Sequence, residues 1–551
     1  MRIIKLSAYR NFMKKTTIGG ELGKFYRAIY ENFFKKVDVR HHVEAYRGIH
    51  DKLFAEPEFA GKFMDICATY YETTGDESAL KKAEEVLVSV AENQREDGYL
   101  GTYARADELE MFSLWNQAFT MLGLLRIYET SGNETALHVS VRCADWIVRR
   151  FTSGGGDILD AFNGGTQHIS VLLPLAKLYG VTKNEKYRMF IDDVLARMEN
   201  SRLNLLSFRT LSGLQSQKGI ELFVVWLGLL EIFRQNGDGR ILSAAKRYWR
   251  LIAETQIRNT GNGTIDEVWT EGGAEEVMIP LSARPNENCV AVGWLEFSLA
   301  LFFLQPDMRY LDAVEKTLFN HLIGSLSEDG SDFAYYQATF GQKVYQTADY
   351  AYKCCRYRGV SAFAYLPEYL FFDSGGEIVP LVYTKCSYES EDVCIDERTD
   401  YPEDGAISFS LLLRREKILK LRIPDWCKKY SVVCDGTPRE ETTLELMAGK
   451  HEVLLNLQFP LNAIYTQKDG GRVSFTYGPL LLAADEECCG FNPEAFVAVP
   501  SAIPEKDGRL FRLKGTLDGE PAEAILTDYS AAGRKNAGHN AFLIWIRTAA
   551  E

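Results

Sequence analysis

The chain has 551 residues, of which 46% are apolar and 25% charged, the profile of a soluble globular protein with room for a large core. Its 62 Lys and Arg stand against 76 Asp and Glu, a formal net charge of -14. That balance works against nonspecific binding to nucleic acid or to an anionic membrane, because both repel an acidic surface.

Met1 to Lys24 scatter basic residues among polar ones and lack the apolar stretch and small-residue cleavage site of a secretory signal. No run of apolar residues is long enough to span a membrane. Eleven cysteines, an odd number, fit reduced thiols better than a disulfide framework. A cytoplasmic protein is expected.

A phrase then recurs: an apolar helical stripe, an aromatic, a short polar turn and a second helix. It stands at Tyr71 to Glu77, Tyr128 to Glu134, Tyr179 to Glu185, Phe233 to Asp238 and Phe303 to Asp307, with aromatic positions 57, 51, 54 and 70 residues apart. Gly suits the left-handed residue that ends one helix, and Asp or Asn the N-cap that starts the next. Trp115, Phe119, Leu122 and Leu125 mark one buried face. Helical hairpins repeated at a near-constant period stack on their neighbours. Five are visible, and Phe25 to His50 offers a sixth, enough to close an (α/α)6 toroid over residues 1–370; an open solenoid is the alternative.

From residue 371 to 551 the pattern alternates with period two, as in Ile407 to Leu411, Leu419 to Ile423 and Val473 to Tyr477. Antiparallel strands forming a β-sandwich are expected, with Pro424 and Pro479 at strand ends where no amide donor is needed.

Two stretches carry chemistry. Glu287, Cys289, Cys354 and Cys355 offer three thiols and a carboxylate, a set that zinc accepts tetrahedrally. Adjacent cysteines do not readily bridge each other. The spacing is no common zinc-finger pattern, so the residues alone leave two readings open, a metal site or buried core thiols. The Gly-rich segment from Asn259 to Asn286 carries Glu267, Glu271, Glu275 and Glu276, either as a solvated acidic loop or as catalytic carboxylates mounted on a loop.

Glu287-Asn288-Cys289 and the Cys354-Cys355 pair, with Gly98-Tyr99-Leu100, Leu421 to Trp426 and Tyr477-Gly478-Pro479-Leu480, resemble glycoside hydrolase family 127, whose characterised type is a β-L-arabinofuranosidase. The resemblance implies an (α/α)6 barrel followed by β-sandwich domains, a carbohydrate substrate, and zinc held by Glu287, Cys289, Cys354 and Cys355. It implies Cys354 as nucleophile and, sixteen residues before Glu287, Glu271 as acid/base, with Glu275 or Glu276 taking that role if the loop register is shifted. It also implies a sugar contact at His168. Arg356-Tyr357-Arg358 replaces prolines usual in the family, and Phe119 and the neighbourhood of Glu221 stand where the characterised type has further histidines. These departures put the arabinofuranose specificity in question, not the metal and nucleophile assignment.

The expected activity is therefore a retaining exo-glycosidase releasing a terminal L-arabinofuranose-like sugar. The rivals are a carboxylate-based (α/α)6 glycosidase or lyase with structural cysteines, a noncatalytic zinc-braced sugar binder, and a protein-binding scaffold. Cys488-Cys489 has no Glu-x-Cys beside it and is read as structural, as are Cys67, Cys143, Cys386, Cys394, Cys427 and Cys434. His41-His42 is read as surface, and Trp115, Trp226 and Trp294 as packing. Oligomeric state is left open, with a homodimer as one option.

Overall fold

The computed structural model describes residues 15–160, 165–270, 277–345 and 354–549. Five helical hairpins follow one another: α3 (Glu56–Thr74) with α4 (Glu77–Asn93), α5 (Ser113–Ser131) with α6 (Glu134–Thr152), α7 (Leu172–Thr182) with α8 (Glu185–Glu199), α9 (Gly219–Asn236) with α10 (Gly239–Thr255), and α11 (Asn288–Leu304) with α12 (Met308–Lys316). Before them come α1 (Gly20–Asn32) and α2 (Val39–Glu44).

The turns are built as their residues require. Gly75, Gly132 and Gly237 close their helices at φ of 74°, 73° and 71°, a region that side chains avoid. Asp76, Asn133, Asn184, Asp238 and Asp307 each accept the backbone amide two residues on. Each such cap contributes about 1 kcal/mol.

The odd-numbered helices from α3 to α11 form the inner wall. Inner helices α5, α9 and α11 are buried on nearly every side, whereas the outer partners bury one stripe only. Gly61 and Gly123 let α3 and α5 touch backbone to backbone, since a Cβ on either would lie 2.4 Å from a carbonyl oxygen of the opposite helix.

Phe25 to His50 does not supply the sixth inner helix. That place belongs to Cys354–Ala364, which packs between α11 and α3 and closes the ring, with α1 lying outside it. The sixth hairpin is thus assembled from both ends of the helical region. Its outer member is amphipathic, while the closing helix is buried from Tyr357 to Ala364.

The β region begins with a sandwich. A seven-stranded sheet and a four-stranded sheet face each other, Phe371 of the smaller packing on Tyr388 of the larger at 5.2 Å between ring centres. Strand Lys15–Ile18 lies on the edge of the larger sheet, antiparallel to Cys386–Glu389. The strand expected over Leu419 to Ile423 is Lys417–Lys420 instead. The chain leaves the sheet there so that Arg422 can bury its guanidinium against Glu315 and Asp312 of α12 and over the Tyr383 ring. Tyr401 and Trp426 donate to the same Glu315 carboxylate, so the Leu421 to Trp426 motif docks the sandwich onto the helices.

A second β unit follows the sandwich. Arg472–Tyr477, Ile546–Thr548, Phe496–Ala498, Leu510–Leu517, Glu520–Asp528 and Leu480–Asp485 pair in sequence, and the last pairs back to the first. The six form a closed ring around Val473, Phe475, Leu482, Phe511, Leu513 and Leu526. Closure removes the exposed edges an open sheet of short strands would leave. The Tyr477 to Leu480 turn is held by Asn320, which donates to the Pro479 carbonyl and accepts from the Leu481 amide.

Candidate active site

Because each inner helix from α3 to α11 is followed by an antiparallel outer one, these helices run in one direction, and their N-termini meet at one mouth of the toroid, where the closing helix also begins. Residues of their first turns converge there: Glu58 of α3, Trp115 of α5, Glu221 of α9, Cys289 of α11, and Cys354 and Cys355 of the closing helix. His168 sits in the turn that leads into α7.

The sequence-predicted quartet is assembled. Ligand atoms of Glu287, Cys289, Cys354 and Cys355 all lie within 4.8 Å of one another, and among the described residues this is the one group placed to hold a metal ion. The Cys355 and Cys289 sulfurs are 3.2 Å apart, Cys355 Sγ is 3.6 Å from Glu287 Oε1, and the Cys289 amide donates to Cys355 Sγ at 3.3 Å. Asn262 donates to the Glu287 carbonyl at 2.7 Å, and Asn288 to the Cys355 carbonyl at 3.0 Å, which ties the two halves of the cluster together.

The donor chemistry fits a divalent cation. Burial pushes the Glu287 carboxyl and the Cys289 and Cys355 thiols well above their usual ranges, because four acidic groups cannot ionise together away from water. Cys354 goes the other way. Hydrogen bonds from Cys289 and Cys355 hold it well below the ordinary thiol range, against the cost of burial and with help from the Lys62 ammonium. Among the described residues Glu287 Oε2 has no hydrogen-bond partner although it is buried, an expensive orphan unless a cation accepts it.

Two lysines flank the cluster. Lys62 pairs with Glu58, both buried, and lies 4.6 Å above the Phe119 ring. Lys218 pairs with Glu267 at 2.7 Å, and Arg284 reaches the same carboxylate at 2.9 Å. Tyr335 is placed between them, its hydroxyl 3.3 Å from Cys354 Sγ and 3.4 Å from Glu267 Oε1. Burial works to raise the Glu267 carboxyl, but Lys218 and the Tyr336 hydroxyl together keep the group below its ordinary value.

The segment that carries Glu267 is pinned rather than loose. Trp269 is buried and donates to the Tyr248 hydroxyl at 2.9 Å, and Ile265 bridges to Val268 and to Pro285. Glu271, Glu275 and Glu276 lie outside the described residues.

His168 is 1% exposed, and neither ring nitrogen has a hydrogen-bond partner among the described residues. Burial alone lowers its pKa to about 4, so the ring is neutral in neutral solution and offers one donor and one acceptor. Beside it, Thr166 donates to the buried Glu221 carboxylate at 2.9 Å.

The remaining sequence readings resolve as packing. Trp226 and Trp294 sit in an aromatic cluster with Phe223 and Phe297. His41 meets Glu56 at 2.7 Å, while His42, expected at the surface, is fully buried and hydrogen-bonded to Tyr357 at 2.8 Å. Lys62, Lys218 and Tyr335 were not singled out by sequence. A lysine inside a helical stripe is the available signal for the first, since helix faces that bury lysine are rare.

A toroid of helical hairpins with thiols and carboxylates gathered at one mouth, followed by β domains, is an (α/α)6 barrel of the kind that carries an active site at one end. Residues 21–368 match the family described as Beta-L-arabinofuranosidase, GH127 catalytic domain, and residues 381–447 the GH127 middle domain. The chain belongs to glycoside hydrolase family 127 and is a glycoside hydrolase. Among curated proteins it is 23% identical over 474 residues to a non-reducing end β-L-arabinofuranosidase of Bifidobacterium longum subsp. longum, covering 72% of this chain and 70% of that one. A solved GH127 β-arabinofuranosidase superposes with a TM-score of 0.82 at 18% identity, covering 98% of both chains. A GH127 β-L-arabinofuranosidase from Geobacillus stearothermophilus T6 gives 0.79 at 17% identity, covering 97% of this chain and 100% of that one. No helix among the described residues is long and apolar enough to cross a membrane.

Proposed function

We propose that the protein is a retaining exo-glycosidase that removes a terminal L-arabinofuranose-like sugar, with Cys354 as nucleophile, Glu271 as acid/base, and zinc on Glu287, Cys289, Cys354 and Cys355. The helical domain, 1–370, carries the site, and 371–551 the β domains. One observation carries the reading. The donor atoms of Glu287, Cys289, Cys354 and Cys355 converge within 4.8 Å of one another, and of the three thiols Cys354 alone is partly exposed at the toroid mouth.

Bound zinc would hold the thiols deprotonated and balance the buried carboxylate. The sulfur of Cys354 attacks the anomeric carbon as the glycosidic C–O bond breaks, and the Glu271 carboxyl gives its proton to the departing oxygen. Water then attacks the same carbon, passing a proton to the Glu271 carboxylate while the C–S bond breaks. Two inversions leave the configuration unchanged. Tyr335 and the Lys218–Glu267 pair orient and charge-balance the sulfur's surroundings, and neutral His168 bonds a sugar hydroxyl.

The test is turnover of an aryl β-L-arabinofuranoside by Cys354→Ser. Near-normal turnover removes Cys354 from the nucleophile's role. Glu271→Gln should slow substrates with poor leaving groups more than activated ones; equal damage to both moves the role to Glu275 or Glu276.

A further inference from the structure

The closing helix and α11 carry the cysteines in their first turns, and each carries an opposite charge farther along. Arg358 lies four residues after Cys354 and Glu296 seven after Cys289, spacings that return to the same face of a helix. Arg358 is 2% exposed and Glu296 8%. They meet in a two-pronged contact, Nη1 to Oε1 at 3.1 Å and Nη2 to Oε2 at 2.6 Å. The pair therefore bridges the two ligand-bearing helices directly beneath the thiols.

Stability alone does not explain it. Desolvating a buried ion pair costs about as much as the attraction returns, and apolar residues of similar volume often serve as well. A fork-to-carboxylate contact supplies something apolar packing lacks: it fixes both the distance and the rotation of one helix relative to the other. The Cys289 and Cys355 sulfurs, 3.2 Å apart across that same helix junction, depend on both quantities.

Resting on the proposal that the cluster holds zinc, we infer that the Arg358–Glu296 ion pair is a positioning clamp that sets the register of the two ligand-bearing helices and thereby the affinity for the metal. Arg358 acts through the helices and touches neither metal nor sugar.

The experiment uses the full chain, stripped with chelator and titrated with zinc against a chromophoric competitor, with the unfolding temperature of the metal-free form measured alongside. The double variant Arg358→Met/Glu296→Leu removes both charges and leaves neither stranded. It should unfold within a few degrees of wild type when metal-free, yet bind zinc about 10- to 100-fold more weakly, the size of effect seen when groups that orient ligands are lost. Arg358→Lys, which keeps the charge but not the fork, should fall between. Unchanged zinc affinity in the folded double variant, or in Arg358→Lys should the double variant not fold, overturns the clamp. So does a loss of affinity that merely follows a loss of metal-free stability. Wild-type protein that binds no zinc defeats the metal reading itself, whereas tight wild-type binding with unaffected variants defeats only the clamp.

Discussion

The chain contains two adjacent cysteine pairs in quite different surroundings. Cys354-Cys355 opens a buried helix at the toroid mouth, where a second helix delivers Cys289 and Glu287 and a third delivers Lys62. Cys488-Cys489 ends the single turn Glu486–Cys489 after a barrel strand. There Cys488 is exposed, and partial burial together with the Asp485 carboxylate pushes its thiol up to about 11. Cys489 Sγ is used up by the backbone of Ile525, accepting from its amide at 3.2 Å and donating to its carbonyl at 3.5 Å. Two neighbouring thiols are thus chemically neutral as a motif. Reactivity comes from what other segments bring to them.

Substitution separates the pairs most sharply. Cys354→Ser should lower turnover by more than about 10^4-fold, the scale on which removal of a nucleophile acts, while Cys488→Ser should leave kcat unchanged. Steady-state kinetics on both variants decides it, and equal behaviour would erase the contrast.

Alkylation tests the same contrast without substrate. In metal-free protein at neutral pH, iodoacetamide should label Cys354 at least about 10-fold faster than Cys488, because the thiolate is the reacting form. Adding zinc should protect Cys354 and leave Cys488 as it was, read by peptide mass spectrometry. Faster labelling of Cys488 would invert the assignment.

Metal removal gives the next effect. Zinc at about 1,000 times its Kd stabilises a native state by about 4 kcal/mol, so stripping should lower the unfolding temperature by several degrees in wild type and in Cys488→Ser alike, but not in Cys289→Ala. A zinc-dependent shift that survives in Cys289→Ala would place the metal elsewhere.

The smallest effect is in pH. His168 has its pKa lowered from 6.5 to about 4 by burial. Protonation is therefore favoured in the unfolded chain, and stability contributed by the neutral ring is full above pH 6.5 and lost as pH falls toward 4. His168→Gln should unfold with a shallower pH dependence than wild type across that window, in denaturant titrations. Identical slopes would mean the ring is not held neutral.

Much of this was legible from sequence because the signals were local. The Gly-Asp and Gly-Asn turns announced the hairpins, since a left-handed residue followed by an N-cap has few other uses. The quartet was legible as a donor set, and the fold brings its side chains together, but residues alone could not choose metal over core; the family resemblance made that choice. The closing helix was missed because its outer partner lies more than three hundred residues away, and hairpin periodicity sees only neighbours. Alternation likewise reports that strands exist without reporting which ones close a ring. Lys218 was invisible for a third reason, and Lys62 showed only as an odd charge in an apolar stripe: their meaning depends on burial, and sequence gives a lysine no depth.

The split sixth hairpin also dictates when the site can come into being. Thr17 meets Ser387 across 370 residues of chain, and Cys354 joins Cys289 only when the ring closes beside it. On the ribosome, where N-terminal segments fold first, the earlier hairpins can stack as they emerge, but they remain an open arc. Ring closure then comes late, so a prematurely terminated chain lacks both the final stave and half of the metal's ligands. The four-donor cluster therefore exists only in chains that have passed residue 355.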